Sequence, residues 1–286
     1  MCINKGSRGD SIPECAGSVE GGCYSRAIAG EHRAFSLVEL VVVLAVLLVL
    51  AGLTLAALAG AQSKVRLTGC IQHLHQLQLG WQLYADDHGG AVPGNSAMKT
   101  GGVWRGGVES WAGPSSAAAD VDPRNLETGQ LWQSGILRSA EIFRCPDDRS
   151  TVEGGRILRS RSYSLNGNLG GRTNEQQTCV HYQSEIQSPS SLMAFVDEHE
   201  DSIDDGHFLV WPEPDERWVN LPAGRHRGVG AWTAVDGHVE RRGWRGRKEF
   251  RREGEYWVRA RPGGDLEDLK TLQRWILAVT NDHRQP

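Results

Sequence analysis

The chain has 286 residues, of which 39% are apolar and 23% charged, with 35 Gly, 11 Pro and a formal net charge of -4. That length and mixture exclude a disulfide-stapled miniprotein and a disordered tail, and leave room for a sizeable core. The near balance of charge gives no whole-chain attraction to nucleic acid or to an anionic membrane surface.

Residues 1–34 set Lys5, Arg8, Arg26 and Arg33 against Asp10, Glu14, Glu20 and Glu31 with no apolar period, and read as an unfolded leader. The stretch from Leu40 to Ala61 then contains no charge, and a run of about 20 apolar residues is what spans a hydrocarbon core. A secretory signal would be shorter and end in a small-residue cleavage site, so no cleavage is expected after this run. Arg33 on one flank and Lys64 and Arg66 on the other do not fix its orientation. One carboxylate, Glu39, stands at its edge. A charge at membrane depth costs roughly 2.5 kcal/mol or more, so it calls for a partner.

The residues opening the run, Ala34-Phe35-Ser36-Leu37-Val38-Glu39, resemble the class III signal of type IV prepilins and type II secretion pseudopilins. The resemblance implies that a prepilin peptidase cuts between Ala34 and Phe35 and N-methylates the new terminus. It also implies that Glu39 pairs with the amine of Phe35 on a neighbouring subunit. The family prefers Gly where Ala34 stands and often has a kinking Pro where Ala56 stands, so a straighter helix is expected here.

Residues 35–61 are thus expected as a transmembrane helix and 62–90 as its amphipathic continuation. Cys70, Leu74, Leu77, Trp81 and Tyr84 recur at steps of four and three, one apolar stripe that needs a partner to lie on. Asp86-Asp87-His88-Gly89-Gly90 and then Pro93 end the helix. Residues 91–286 read as a β-rich head. Strands are predicted at Ile157–Leu165, Leu192–Asp197, Phe208–Trp211, Gly230–Val235 and His238–Arg242, with Asp236-Gly237 as a two-residue hairpin turn. A last helix is predicted from Asp265 as N-cap, with Leu266, Leu269, Leu272 and Ile276 on one side. Residues 97–123 read as loop. The fold class is α+β: a long N-terminal helix packed on a mainly antiparallel sheet.

A second resemblance lies in the head. Cys70, Tyr84-Ala85-Asp86-Asp87, Phe143-Arg144-Cys145-Pro146-Asp147-Asp148, Ser162-Tyr163-Ser164-Leu165-Asn166-Gly167, and His226 with Asp236-Gly237 are similar to stations of a prepilin-like subfamily of planctomycete and verrucomicrobial bacteria. That subfamily ends in a processing-associated His, nine residues, Asp-Gly signature. Both resemblances imply a pilin-like fold and together cover nearly all of residues 34 to 240.

Loss of the leader would leave Cys70, Cys145 and Cys179. In an oxidising compartment a Cys70–Cys145 disulfide clamping helix to head is favoured, with buried thiols as the alternative. No Cys-x-x-Cys or paired-His spacing suggests zinc. Asp197, Glu198, Glu200, Asp201, Asp204 and Asp205 offer oxygen ligands that suit calcium, through Asp197, Glu198, Asp201, Asp204 and Asp205. The bland reading is a solvated acidic loop, and no cofactor is certain. Arg241, Arg242, Arg245, Arg247, Lys248, Arg251 and Arg252 form a basic stretch with Trp244 and Phe250. A solvated strand edge is favoured over nucleic-acid binding, with a contact to the acidic loop of a neighbouring head as a third reading. His226 is expected to hydrogen-bond to Asp236. No nucleophile motif or phosphate loop is present, so no enzymatic activity is expected.

These readings converge on a pilin-like structural subunit of the inner membrane, single-pass with its head outside the cytoplasm, or extracted into a filament. Its expected partners are a prepilin peptidase and other pilin-like subunits. The alternative is a membrane-anchored protein that binds a glycan or polymer on a surface of its ten Trp.

Overall fold

The computed structural model describes residues 35–100, 103–106, 110–113, 122–152, 155–171, 179–248 and 258–276. The leader, including Ala34, lies outside the described residues. The chain divides into two compact units, Met1–Gly52 and Leu53–Pro286.

Helix α1 runs over Leu37–Asp87. Its window Leu37–Thr54 is long and apolar enough to cross a membrane, and none of it is buried by the rest of the chain. Ser36 and Glu39 open the helix as a reciprocal cap. The Ser36 N–H and O–H each donate to Glu39 Oε2 at 2.9 Å, and the Glu39 N–H donates to Ser36 Oγ at 3.2 Å. Such a box satisfies backbone donors that the first turn leaves unpaired.

In the second unit a hairpin of β1 (Ala97–Thr100) and β2 (Val103–Gly106) follows the helix. The loop expected across 97–123 therefore contains two short strands. A 3-10 turn over Pro123–Thr128, the single helical turn α2 (Gln130–Gln133) and a second 3-10 turn over Ala140–Phe143 come next. The strand predicted at Ile157–Leu165 is two pieces. β4 (Ile157–Leu158) pairs only with β3 (Thr151–Val152), while β5 (Tyr163–Asn166) enters the main sheet. Between them the buried Arg161 donates to the Tyr163 carbonyl at 2.9 Å and to Ser164 Oγ at 2.9 Å.

The main sheet also holds β6 (Met193–Asp197), β7 (His207–Phe208), β9 (Val229–Ala234) and β10 (Val239–Gly243), in the order β10-β9-β6-β5-β7. All neighbours are antiparallel except β5 and β7. β8 (Arg217–Trp218) and β11 (Val258–Arg259) form a separate pair. The Asp236-Gly237 hairpin is present but one residue longer than predicted. Gly237 N–H donates to the Ala234 carbonyl and Ala234 N–H to the His238 carbonyl, with Gly237 at φ 101°. This is a three-residue loop in which glycine takes the left-handed position.

Alternation along the strands splits the core in two. On one face the α1 stripe of Cys70, Leu74, Leu77, Trp81 and Tyr84 packs with Tyr163, Leu165, Phe195 and Ala231. On the other, Met193, Val196, Phe208 and Trp232 meet Leu269, Leu272 and Ile276 of α3 (Gly264–Ile276). An irregularity in the β6–β9 register between Met193 and Val196 places Ala194 and Phe195 together in the first layer. α3 starts one residue before Asp265, whose carboxylate accepts from the Arg261 N–H and from Lys248 Nζ.

Candidate metal centre

Four residues far apart in sequence meet between α1 and the sheet. One ligand atom from each of Cys70, Cys145, Asp197 and His226 lies within 4.8 Å of all the others, and all four residues are buried. Cys70 begins the buried stripe of α1. Cys145 follows the Ala140–Phe143 turn, and its N–H donates to Ser162 Oγ at 3.1 Å. Its carbonyl accepts from the Asp148 N–H at 3.0 Å. Asp197 ends β6, one step past Val196, so alternation turns it to the α1 face. His226 lies in a tight loop closed by the Gly228 N–H on the Gly224 carbonyl at 2.9 Å. Within it Arg227 has φ 59°, the single non-glycine residue with positive φ among those described. That conformation costs a side-chain-bearing residue about 1 kcal/mol.

Cys145 Sγ is 3.2 Å from His226 Nε2, and Cys70 Sγ is 3.8 Å from Asp197 Oδ2. Tyr163 Oη stands 3.4 Å from Cys70 Sγ. His226 Nδ1 lies 3.3 Å from Asp147 Oδ2 without the alignment of a hydrogen bond, and Asp147 also pairs with Arg66 at 2.6 Å. Arg225 is the buried counter-ion. It donates to Asp197 Oδ1 and Glu200 Oε2 and lies 3.4 Å from Asp148 Oδ1. Asp148 in turn accepts from Ser162 Oγ at 2.5 Å and the Ser150 N–H at 2.8 Å.

Burial pushes Asp197 up to about 7 even though Arg225 opposes the rise. Burial would raise Asp148 too, but Arg225 and the serine hydrogen bonds hold it below the usual carboxylate value. For Arg225, burial works against the charge, and Asp197, Asp148 and Glu200 more than offset it, so its pKa rises. The hydrogen bond to Cys70, then burial and the Asp197 charge, push the Cys145 thiol up. Burial lowers His226 against the pull of Asp147, which leaves the ring neutral at pH 7 with a lone pair to offer. Two sulfurs, an imidazole nitrogen and a carboxylate oxygen at this spacing could hold a metal ion. A cleft of about 510 Å³, lined by residues including Asp147, Asp148, Glu200 and Arg225, opens beside them.

The expectations from sequence sort unevenly onto this geometry. Cys70 and Cys145 do come together, as free thiols. The proposed calcium residues are not gathered round one point. Asp197 belongs to the thiol cluster, Glu198 accepts from Ser164, Ser202 and Asn220, and Asp201 is exposed. His226 does not bond to Asp236, whose Oδ1 lies 2.6 Å from His238 Nδ1. In the basic stretch, Lys248 is buried against Asp265 at 2.8 Å and Asp268 at 2.7 Å, and Arg245 pairs with Glu267, so α3 answers part of that charge internally. Arg251 and Arg252 lie outside the described residues. The four-residue centre escaped a search for local ligand spacing because each donor comes from a different element. The one sequence signal was that Cys70, Cys145 and His226 all stand in the stretches that carry the second resemblance.

Asp204 and Asp205 supply a pH prediction. Burial first, then the neighbouring Asp205 charge, raise Asp204 to about 8, and burial raises Asp205 to about 6. The unfolded carboxylate titrates near about 3.9. The folded state therefore holds these protons longer, and their contribution to stability is complete below about pH 4 and lost as pH rises through 6 to 8. Lowering the pH from about 9 to about 7 should raise Tm, and Asp204→Asn should flatten that slope relative to the parent chain. A slope unchanged in Asp204→Asn would show that this carboxyl is not the source.

Compared with known proteins, the chain matches no family model, no curated protein and no solved structure.

Proposed function

We propose that the protein is a pilin-like structural subunit, cut before Phe35 by a prepilin peptidase and assembled through its N-terminal helix into a type II secretion or type IV pilus-like apparatus. The observation that carries the reading is α1 itself. Its first part is apolar on every side and unburied, with a single carboxylate in the first turn. Its later part is the core helix of a domain with a mainly antiparallel sheet. A helix exposing large apolar residues such as Leu40, Val42, Leu44, Val46 and Leu50 needs lipid or like helices around it. Both would be supplied by insertion into the inner membrane followed by bundling in a filament. The glycan-binding alternative would have to use the partly exposed Trp132, Trp211, Trp244 and Trp275, since Trp81, Trp111, Trp218 and Trp232 are interior.

In this reading Glu39 serves both the cap with Ser36 and the pairing with a neighbour's Phe35 amine, and the two roles separate experimentally. Gln can replace Glu in a capping box, but it cannot form an ion pair. Glu39→Gln should leave the chain membrane-inserted and processed, while its incorporation into sheared or detergent-resistant assemblies falls by about tenfold or more. Incorporation at the parent level would sink the pairing, leaving the cap as the whole role of Glu39.

A further inference from the structure

We propose that Cys70, Cys145, Asp197 and His226 bind one zinc(II) ion in a closed structural site that fastens the C-terminal half of α1 to the sheet. In a tetrahedral zinc site with metal–ligand bonds of about 2.0–2.3 Å, neighbouring donor atoms stand about 3.5 Å apart. The two contacts here, 3.2 Å between Cys145 Sγ and His226 Nε2 and 3.8 Å between Cys70 Sγ and Asp197 Oδ2, bracket that value. Thiolate and imidazole donors select zinc over calcium, which takes oxygen alone. Four protein donors fill the tetrahedron and leave no position for water or substrate, which makes the site structural.

The surrounding residues fit the same ion. With Nε2 on the metal, the ring proton sits on Nδ1, facing the Asp147 carboxylate 3.3 Å away, so the buried atom that now lacks an aligned hydrogen bond gains its role as an outer-shell donor. Tyr163 Oη can donate to the Cys70 thiolate, and Arg225 already holds the other oxygen of Asp197. Binding replaces two S–H protons, released to solvent, by one dication, so the buried group changes its net charge by nothing. A disulfide between the same sulfurs would leave Asp197 as the partner of Arg225 and engage neither its second oxygen nor His226 Nε2, whereas the ion engages both. The donors come from four segments between residues 70 and 226, so the ion closes long loops and its binding energy becomes folding energy.

The test uses the full-length chain, extracted in detergent without chelator or reductant. About one zinc per chain is expected by elemental analysis, and replacement by cobalt(II) should give the intense visible bands of a tetrahedral thiolate site. Cys70 and Cys145 should become alkylatable when a chelator is added, with no reductant present. Cys145→Ser and His226→Ala should lose the cobalt bands, Cys179→Ser should keep them, and Asp147→Asn should weaken cobalt binding about 10- to 100-fold. A folded parent chain without metal, one carrying copper or iron, or one whose two thiols react only after reduction would overturn the proposal. The last result would establish the disulfide in its place. Because the metal content is read on the parent chain, a variant that fails to fold does not rescue or sink the inference.

Discussion

Arg225→Met should destabilise the folded chain by about 3–5 kcal/mol, the usual consequence of stripping the partner from a buried charge. The guanidinium is 7% exposed and lies between Asp197 and Asp148, themselves 1% and 0% exposed. Methionine matches the stem and removes the charge, leaving two carboxylates that burial penalises and no cation to offset it. Asp148 keeps its Ser162 and Ser150 hydrogen bonds but loses the charge of Arg225 that most held its pKa down, so burial raises both carboxyls and a charge on either is left without its cation. Adding Asp148→Asn to Arg225→Met should therefore recover part of the loss, a non-additivity of about 1 kcal/mol or more. Urea midpoints on the four chains of the cycle check this. A loss under 1 kcal/mol in the single variant would mean that solvent reaches the pair and that the cluster is wetter than its burial implies.

Trp111→Ala should cost a similar amount, about 3–5 kcal/mol, for a different reason. Trp111 is fully buried; its ring stacks on Phe143 at 5.9 Å and meets the edge of Phe195 at 5.0 Å. Its indole N–H donates to the Gly206 carbonyl at 3.1 Å. Truncation opens a large cavity in the layer between α1 and the sheet and removes the indole donor, while the Gly206 carbonyl keeps the Leu165 N–H at 2.9 Å. Trp111→Phe fills most of the space but cannot donate, so it should lose roughly half as much. Thermal or urea unfolding separates the two, and equal losses in both variants would assign the whole effect to the hydrogen bond.

The two sites show which parts of the molecule the sequence could reveal. Helix α1 and its stripe were legible because a period of 3.6 over many residues leaves no rival reading, and the stripe residues Cys70, Leu74, Leu77 and Trp81 are indeed the helix's contribution to the core. The strands ending at Asp197 and flanking Gly237 were legible through alternation and turn chemistry. Trp111 was not: it lies in a stretch without period whose backbone is held by contacts such as Trp111 N–H to the Gly94 carbonyl, pairings set by tertiary structure. The candidate metal centre was hidden for the same reason. Sequence reading recognises ligands on one helix or one loop, whereas here four elements deliver one donor each, and only the fold puts Cys145 beside His226. The error over His226 is instructive in that respect. Proximity in the hairpin suggested Asp236, but that carboxylate is taken by His238, two residues away, and His226 meets Cys145 instead.

The account rests most heavily on processing before Phe35, and the direct measurement is the intact mass and N-terminal sequence of the membrane-extracted protein from its native host. The account predicts a mature chain beginning at N-methylated Phe35. A chain that keeps the leader, or is trimmed elsewhere, would contradict it and reduce Glu39 to the capping partner of Ser36.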